Sequence, residues 1–185
     1  MPTPPAQSVF QLRITLVGSN PPVWRRLLVP GSVSMAKLHD MIQAAMGWTN
    51  SHLHSFTVGD ERYGMHYDDY PDGEIDEKTV KVRSAIGECR GFQYEYDFGD
   101  SWDHAIVVEE LVKPARGLKH AVCLDGENAC PPEDCGGVYG YTDLLQVLAD
   151  PDHEEHESMM EWAGGPIDPT SFDLVAVNVA LQGVG

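Results

Sequence analysis

No lysine or arginine occurs after Lys119. The chain places all 12 basic residues among 16 acidic ones in residues 1–120, a balance of −4, whereas residues 121–185 hold 13 acids and no base, a balance of −13. A nucleic-acid duplex is itself a dense line of negative charge, and affinity for it comes largely from Lys and Arg displacing condensed counterions. Direct nucleic-acid binding is therefore not expected, and the one local patch left for it is Arg13, Arg25 and Arg26.

Other absences narrow the field. Nowhere do about 18 apolar residues stand together, so no membrane-spanning helix is expected. Residues 1–8 have neither the basic start nor the apolar run of a signal peptide, which points to a cytoplasmic protein. Without a secretion signal, the four cysteines read as free thiols or metal ligands rather than disulfides. Neither G-x-x-x-x-G-K-[ST] nor G-x-G-x-x-G occurs, so no phosphate-cradling loop is indicated. His153-Glu154-Glu155-His156 spaces its histidines three apart where a zincin helix needs four, and reads instead as an acidic helix start.

What is present is enough for one core: 42% of the 185 residues are hydrophobic, and nothing divides the chain, so residues 1–185 read as a single domain. Phe10, Leu12, Ile14 and Leu16 alternate with polar residues as in a half-buried strand, and Val23 to Val29 reads as its hairpin partner. Ser34 is placed to cap a helix whose apolar positions run from Met35 to Met46, with Gly47 to end it. Leu53 to Val58 reads as a short strand, and Tyr63 to Lys78 as a loop. Phe92, Tyr94, Tyr96 and Phe98 share a strand face, and Trp102 to Leu111 returns after a turn at Gly99-Asp100. A long loop, Lys113 to Gly140, leads to a helix over Thr142 to Ala149. A second helix is opened by Asp152 and Glu155 as a capping box and closed by Gly164-Gly165. Asp173 caps a last short segment, helix or strand on its pattern alone. The order predicts an α+β fold: a mostly antiparallel sheet, one helix after the first hairpin, and C-terminal helices packed against it.

Five spaced motifs then carry a resemblance. They are Pro22-Val23-Trp24-Arg25-Arg26, His52-Leu53-His54-Ser55-Phe56, Tyr96 to His104, Pro131-Pro132-Glu133-Asp134-Cys135-Gly136-Gly137, and Phe172-Asp173 with Asn178. In this order, over roughly residues 8–182, the chain resembles the plasmid ORF-3-like family, named after an open reading frame of a root-inducing plasmid. The resemblance implies a small α+β domain carried by mobile elements and chromosomes, with no established activity, and a helix over Asp173 to Leu181. Some members carry a resolvase label. A serine resolvase needs a nucleophilic Ser among Arg side chains and a basic DNA-binding arm, which the base-free last third does not supply.

Several constellations could carry chemistry. Cys123, Cys130 and Cys135, with six and then four residues between them in a Pro- and Gly-rich loop, could wrap zinc with Cys89 or a histidine as fourth ligand; equally, they read as partly buried thiols. His52 and His54 form an H-x-H pair that a strand would point to one side, and Asp97, Asp100 and His104 could join them around a divalent ion. The plainer alternative is that the histidines satisfy buried hydrogen bonds while the aspartates shape the turn. Phe98-Gly99-Asp100-Ser101 has the look of a GDSL hydrolase block with Asp150-x-x-His153 downstream, but it falls in a hairpin turn and no G-x-N-D follows. The rigid Pro131 to Gly137 bend would present Glu133 and Asp134 beside Tyr94, Tyr96 and Trp102 to a basic protein partner, or simply pack the last helices onto the sheet. The leading expectation is thus a non-enzymatic binding or accessory module with an acidic C-terminal face. A metal-dependent hydrolase and an acidic DNA mimic are the alternatives.

Overall fold

The computed structural model describes residue 5 and residues 8–65, 73–112 and 118–184. β1 (Val9–Leu16) and β2 (Trp24–Pro30) form the expected hairpin, with Leu12 opposite Leu27 and Ile14 opposite Arg25. Ser34 caps α1 (Met35–Met46) by accepting a hydrogen bond from the Lys37 amide, and Gly47 ends it at φ 88°, a left-handed turn that glycine enters without steric cost. β3 (His54–Val58), β4 (Glu61–Gly64), β5 (Ile75–Asp76) and the five-residue α2 (Val82–Ile86) follow. The stretch Tyr63 to Lys78, read as loop, thus contains the end of β4 and all of β5, while residues 66–72 lie outside the described residues.

β6 (Gly91–Tyr96) and β7 (Trp102–Val112) make the central hairpin. Phe98 does not share the strand face: Asp97 turns the chain at φ 56°, and Phe98 is left exposed. The long loop expected from Lys113 to Gly140 holds a further strand, β8 (Val122–Glu127), and the start of α3 (Gly137–Ala149); residues 113–117 lie outside the described residues. α4 (His156–Trp162) lacks the expected capping box, since neither Asp152 nor Glu155 caps it through a side chain; the Asp152 amide donates to Asp150 in a local turn instead. Asp173 does cap α5 (Leu174–Gly183), accepting from the amides of Val175 and Ala176.

The eight strands form one sheet in the order β5-β4-β3-β6-β7-β1-β2-β8, antiparallel except between β4 and β5. One face is apolar, and Leu12, Ile14, Leu27, Tyr94, Tyr96 and Trp102 share a core cluster with Leu38, Met41 and Ile42 of α1. Fully burying an apolar side chain of this size contributes roughly 2–3 kcal/mol, so the face repeated along these strands fixes their register. The other face is wetter, as antiparallel sheets allow. There Arg26 grips Glu109 with two nitrogens at 2.6 and 2.9 Å and reaches Asp125 at 3.2 Å, and Arg13 lies 4.1 Å over the Trp24 ring. Arg25 points inward, where its guanidinium donates to the carbonyls of Ala45, Trp24 and Glu127. Of the three arginines left open for nucleic acid, only Arg25 is buried, while Arg26 is paired with Glu109 and Asp125 on the wetter face. At the outer edge, the Asn178 amide exchanges two hydrogen bonds of 3.0 Å with the backbone of Cys123, so α5 covers part of an edge strand that would otherwise seek a partner. Among the described residues no helix is long and apolar enough to cross a membrane.

Candidate functional site

Three sequence motifs meet at one end of the sheet. His52 to Phe56 leads into β3, the Asp97 to Ser101 turn joins β6 to β7, and the Pro131 to Gly137 bend folds over both. The bend is anchored at four points. Trp48 Nε1 donates to the Pro131 carbonyl at 2.9 Å, and Glu133 accepts from the Thr49 amide and hydroxyl at 3.0 and 2.6 Å. Tyr96 Oη donates a short bond to Glu133, and the Gly136 amide donates to Asp100 Oδ2 at 3.0 Å. Gly137 is needed where bend and turn touch, because a Cβ there would stand 2.4 Å from the Asp100 carbonyl oxygen. Glu133 and Asp100 are thus fasteners. Burial works to raise the Glu133 carboxyl, but hydrogen bonds from Thr49 and Tyr96 bring it below the ordinary carboxylate range.

Asp134, next along the bend, is turned the other way. Its Oδ1 lies 3.0 Å from His52 Nε2, and Asp97 Oδ2 lies 3.6 Å from the same nitrogen. Among the described residues, His52, Asp97 and Asp134 are the group of three whose ligand atoms all fall within 4.8 Å of one another. Asp97 is held by its Oδ1, which accepts from the Gly99 amide at 3.0 Å, and by its own amide, which donates to the Leu53 carbonyl at 2.8 Å.

A second, inner group lies beneath. His39 Nε2 is 2.7 Å from Asn50 Oδ1, its Nδ1 is 2.8 Å from Tyr94 Oη, and Gln43 Nε2 donates to that hydroxyl at 3.0 Å. With a neutral ring, one proton arrangement satisfies all three contacts. Asn50 Oδ1 can only accept, so His39 carries its proton on Nε2, and Tyr94 donates to Nδ1. Burial, with His54 as a second influence, pushes His39 down to about 4, which agrees with a neutral ring. His54 stacks on His39 with ring centroids 3.4 Å apart, and its Nε2 meets Glu77 Oε2 at 2.8 Å, both side chains 3% exposed. A cleft of about 600 Å³ borders this group, lined among others by His39, Asp40, Asn50, His52, His54 and Glu77.

The expected H-x-H site therefore divides. β3 begins at His54, so His52 lies outside the strand and the two rings do not share a side by alternation: His52 meets Asp97 and Asp134, and His54 meets Glu77. His104 joins neither. It is buried, packs edge-on to Trp48 at 5.4 Å, and burial lowers it to about 4 against the opposing pull of the Trp102 and Tyr94 backbone; among the described residues neither ring nitrogen makes a well-directed hydrogen bond. Tyr96 and Trp102 are wholly buried and offer no recognition surface, because β6 and β7 turn them into the core. Among the described residues, Cys123, Cys130 and Cys135 do not form a group whose sulfurs all lie within 4.8 Å of one another. Cys123 Sγ contacts the Asp125 carbonyl, Cys135 Sγ the Gly137 carbonyl, and desolvation raises all three thiols, Cys135 to about 12.

His39, Gln43, Asn50 and Glu77 are the site residues that sequence reasoning missed. His39 and Gln43 left a trace, two polar positions on the apolar face of α1, whereas Glu77 comes from a segment without periodicity.

The motifs that build this end of the sheet are those of a known family. Residues 8–176 match the model of the plasmid pRiA4b ORF-3-like protein. The chain belongs to that family. It is 41% identical over 173 residues to an uncharacterised protein, y4hQ, of Sinorhizobium fredii, covering 92% of this chain and 87% of that one. It is also similar to the crystal structure of a protein of unknown function, MM3350, from Methanosarcina mazei Go1, with a TM-score of 0.82 and 34% identity over 91% of this chain and 96% of that one. The family fold is accordingly α+β, and the roles of its residues rest on the geometry above.

Proposed function

We propose that this member of the plasmid ORF-3-like family is a binding module whose acidic C-terminal face takes a basic segment of a partner protein. One observation carries the reading. A groove of about 360 Å³ along α3 and α4 has Leu144, Val147, Met159 and Trp162 among its lining residues, with Asp134, Asp143 and Glu155 beside them and no basic residue among the described residues of its wall. Around it, Asp150, Asp152, Glu154, Glu157 and Glu161 are all exposed.

An apolar floor with a single-sign rim suits an amphipathic Lys- or Arg-rich segment. The apolar side chains supply contact area, while the summed field of the carboxylates speeds encounter and selects the sign of the partner. Because Glu133 is occupied by Thr49 and Tyr96, this reading takes α3 and α4, away from the aromatic hairpin, as the recognition surface. Trp162, 47% exposed in the groove, reports on it, whereas Trp48 and Trp102 are buried.

The test titrates a synthetic peptide of alternating Lys-Leu pairs against the protein and follows tryptophan emission at two salt concentrations. Saturable binding that weakens at high salt is expected, together with about a tenfold loss in the double variant Asp143→Asn, Glu155→Gln, corresponding to roughly 1.4 kcal/mol. Equal binding by the variant, or equal binding of an acidic peptide of the same pattern, refutes the proposal.

A further inference from the structure

We infer that His52, Asp97 and Asp134 form a binding site for a first-row divalent transition ion, with Mn²⁺ and Zn²⁺ the best fits to one imidazole and two carboxylates. The first support is distance. Two ligands about 2.1 Å from one ion stand about 3.0 Å apart at a right angle and about 3.4 Å apart in a tetrahedron. The His52 nitrogen lies 3.0 Å from Asp134 and 3.6 Å from Asp97, the separations of neighbouring ligands around a single ion.

The second support is direction. An ordinary ion pair explains a 3.0 Å approach only if the ring N–H points at the carboxylate. Here Nε2 is shielded from solvent yet makes no hydrogen bond of acceptable geometry, although Asp134 Oδ1 is 3.0 Å away. The nitrogen is aimed beside the oxygen, as a ligand aimed at a shared centre would be.

The third support is how the donors are carried. Asp97 is fixed by Gly99 and Leu53, and Asp134 sits on a bend pinned through Glu133 and Gly136. Ligands oriented by their surroundings in this way bind an ion with little reorganisation. The Asp134 side chain is 68% exposed and free to complete the closure, since the three ligand atoms are bounded only by 4.8 Å. Three protein ligands leave further coordination positions for water or a small ligand, and His52 also lines the 600 Å³ cleft.

The experiment uses the full chain after dialysis against a chelator. Mn²⁺ binding is read from loss of the free-ion electron paramagnetic resonance signal, and Zn²⁺ and Mg²⁺ binding by calorimetry. One equivalent of Mn²⁺ or Zn²⁺ is expected, Mg²⁺ binding at least tenfold more weakly. His52→Ala and Asp134→Asn should each lower affinity tenfold or more, with thermal unfolding confirming that both variants are folded. Asp134→Asn, at an exposed position, keeps the test informative where His52→Ala loses stability. Asp143→Asn with Glu155→Gln should leave ion binding unchanged, which separates this site from the groove. Failure to take up an equivalent overturns the inference, and so does uptake that survives both His52→Ala and Asp134→Asn, since the ion would then sit on the acidic helices or the thiols.

Discussion

The inner group around His39 and His54 and the outer group around His52 border the same cleft, yet their polar atoms are treated differently. In the inner group His39, Tyr94, Gln43 and Asn50 form one closed chain of donors and acceptors, and Glu77 is nearly sealed against His54. In the outer group the Asp134 carboxylate is largely exposed and the His52 nitrogen lacks a well-directed partner. Among the described residues the inner group leaves one buried atom, His54 Nδ1, without a partner, but its other donors and acceptors are matched and add rigidity, whereas an open set of donors is available to a ligand. The difference teaches where structure ends and binding begins at this end of the sheet: damage to the inner group should appear as lost stability, and damage to the outer group as lost binding.

The largest expected effect is that of acid on two buried histidines, His39 of the inner group and His104, which belongs to neither group. His39 and His104 are held down to about 4, so the folded chain binds fewer protons than the unfolded one, whose imidazoles titrate near the ordinary 6.5. The stabilisation from keeping them neutral is complete above about pH 6.5, is lost as pH falls toward 4, and changes no further below that. Each contributes on the order of 3 kcal/mol over that interval. Urea unfolding at a series of pH values measures it. His104→Leu, which removes a ring without a well-directed hydrogen bond among the described residues, should remain folded and flatten the fall. An unchanged pH slope in that variant would show that His104 is not the titrating group.

Next in size is Glu77→Ala. The carboxylate and the imidazole are each 3% exposed, and removing one member strands the other without an acceptor. Roughly 3 kcal/mol of stability should be lost, since breaking a buried pair leaves uncompensated polarity behind. Thermal melts of Glu77→Ala and Glu77→Gln sharpen the point. The amide keeps an oxygen for His54 Nε2–H and should recover much of the loss; if it recovers none, the negative charge is what His54 requires.

The same contrast governs how much could be read from the chain. Alternation in β1, the Ser34 and Gly47 boundaries of α1 and the β6–β7 hairpin were legible because each is encoded by residues close in sequence, whereas the local pattern after Asp173 left helix and strand open and only the family resemblance favoured α5. β8 was not, since of its six residues only Cys123 is buried, and the strand is set by pairing with β2 and by Asn178 from α5. The outer site was half legible. Its residues all lay in motifs, but the H-x-H reading put His54 beside His52 by assuming a strand two residues too early. Asp134 was read as a partner-facing acid, and its approach to His52 depends on how a distant bend docks, which no local pattern records. Glu133 shows the limit from the other side, because an acid on a rigid exposed loop looks like a recognition residue until Thr49 and Tyr96 claim it.

The smallest expected effect tests the outer side of the comparison. Asp134→Asn removes a carboxylate whose side chain is 68% exposed and whose nearest charge partner is a half-buried imidazole. Exposed ion pairs contribute roughly 0–1 kcal/mol, because solvent screens them and ordering the side chains offsets the attraction. Thermal unfolding should therefore shift Asp134→Asn by less than about 0.5 kcal/mol at neutral pH. A loss comparable to that of Glu77→Ala would mean that Asp134 fastens the bend as Glu133 does, and the division between a structural inner group and an open outer one would no longer hold. A near-zero change leaves the three ligand atoms without a structural reason to converge, and that is the condition under which a ligand becomes the explanation for their placement.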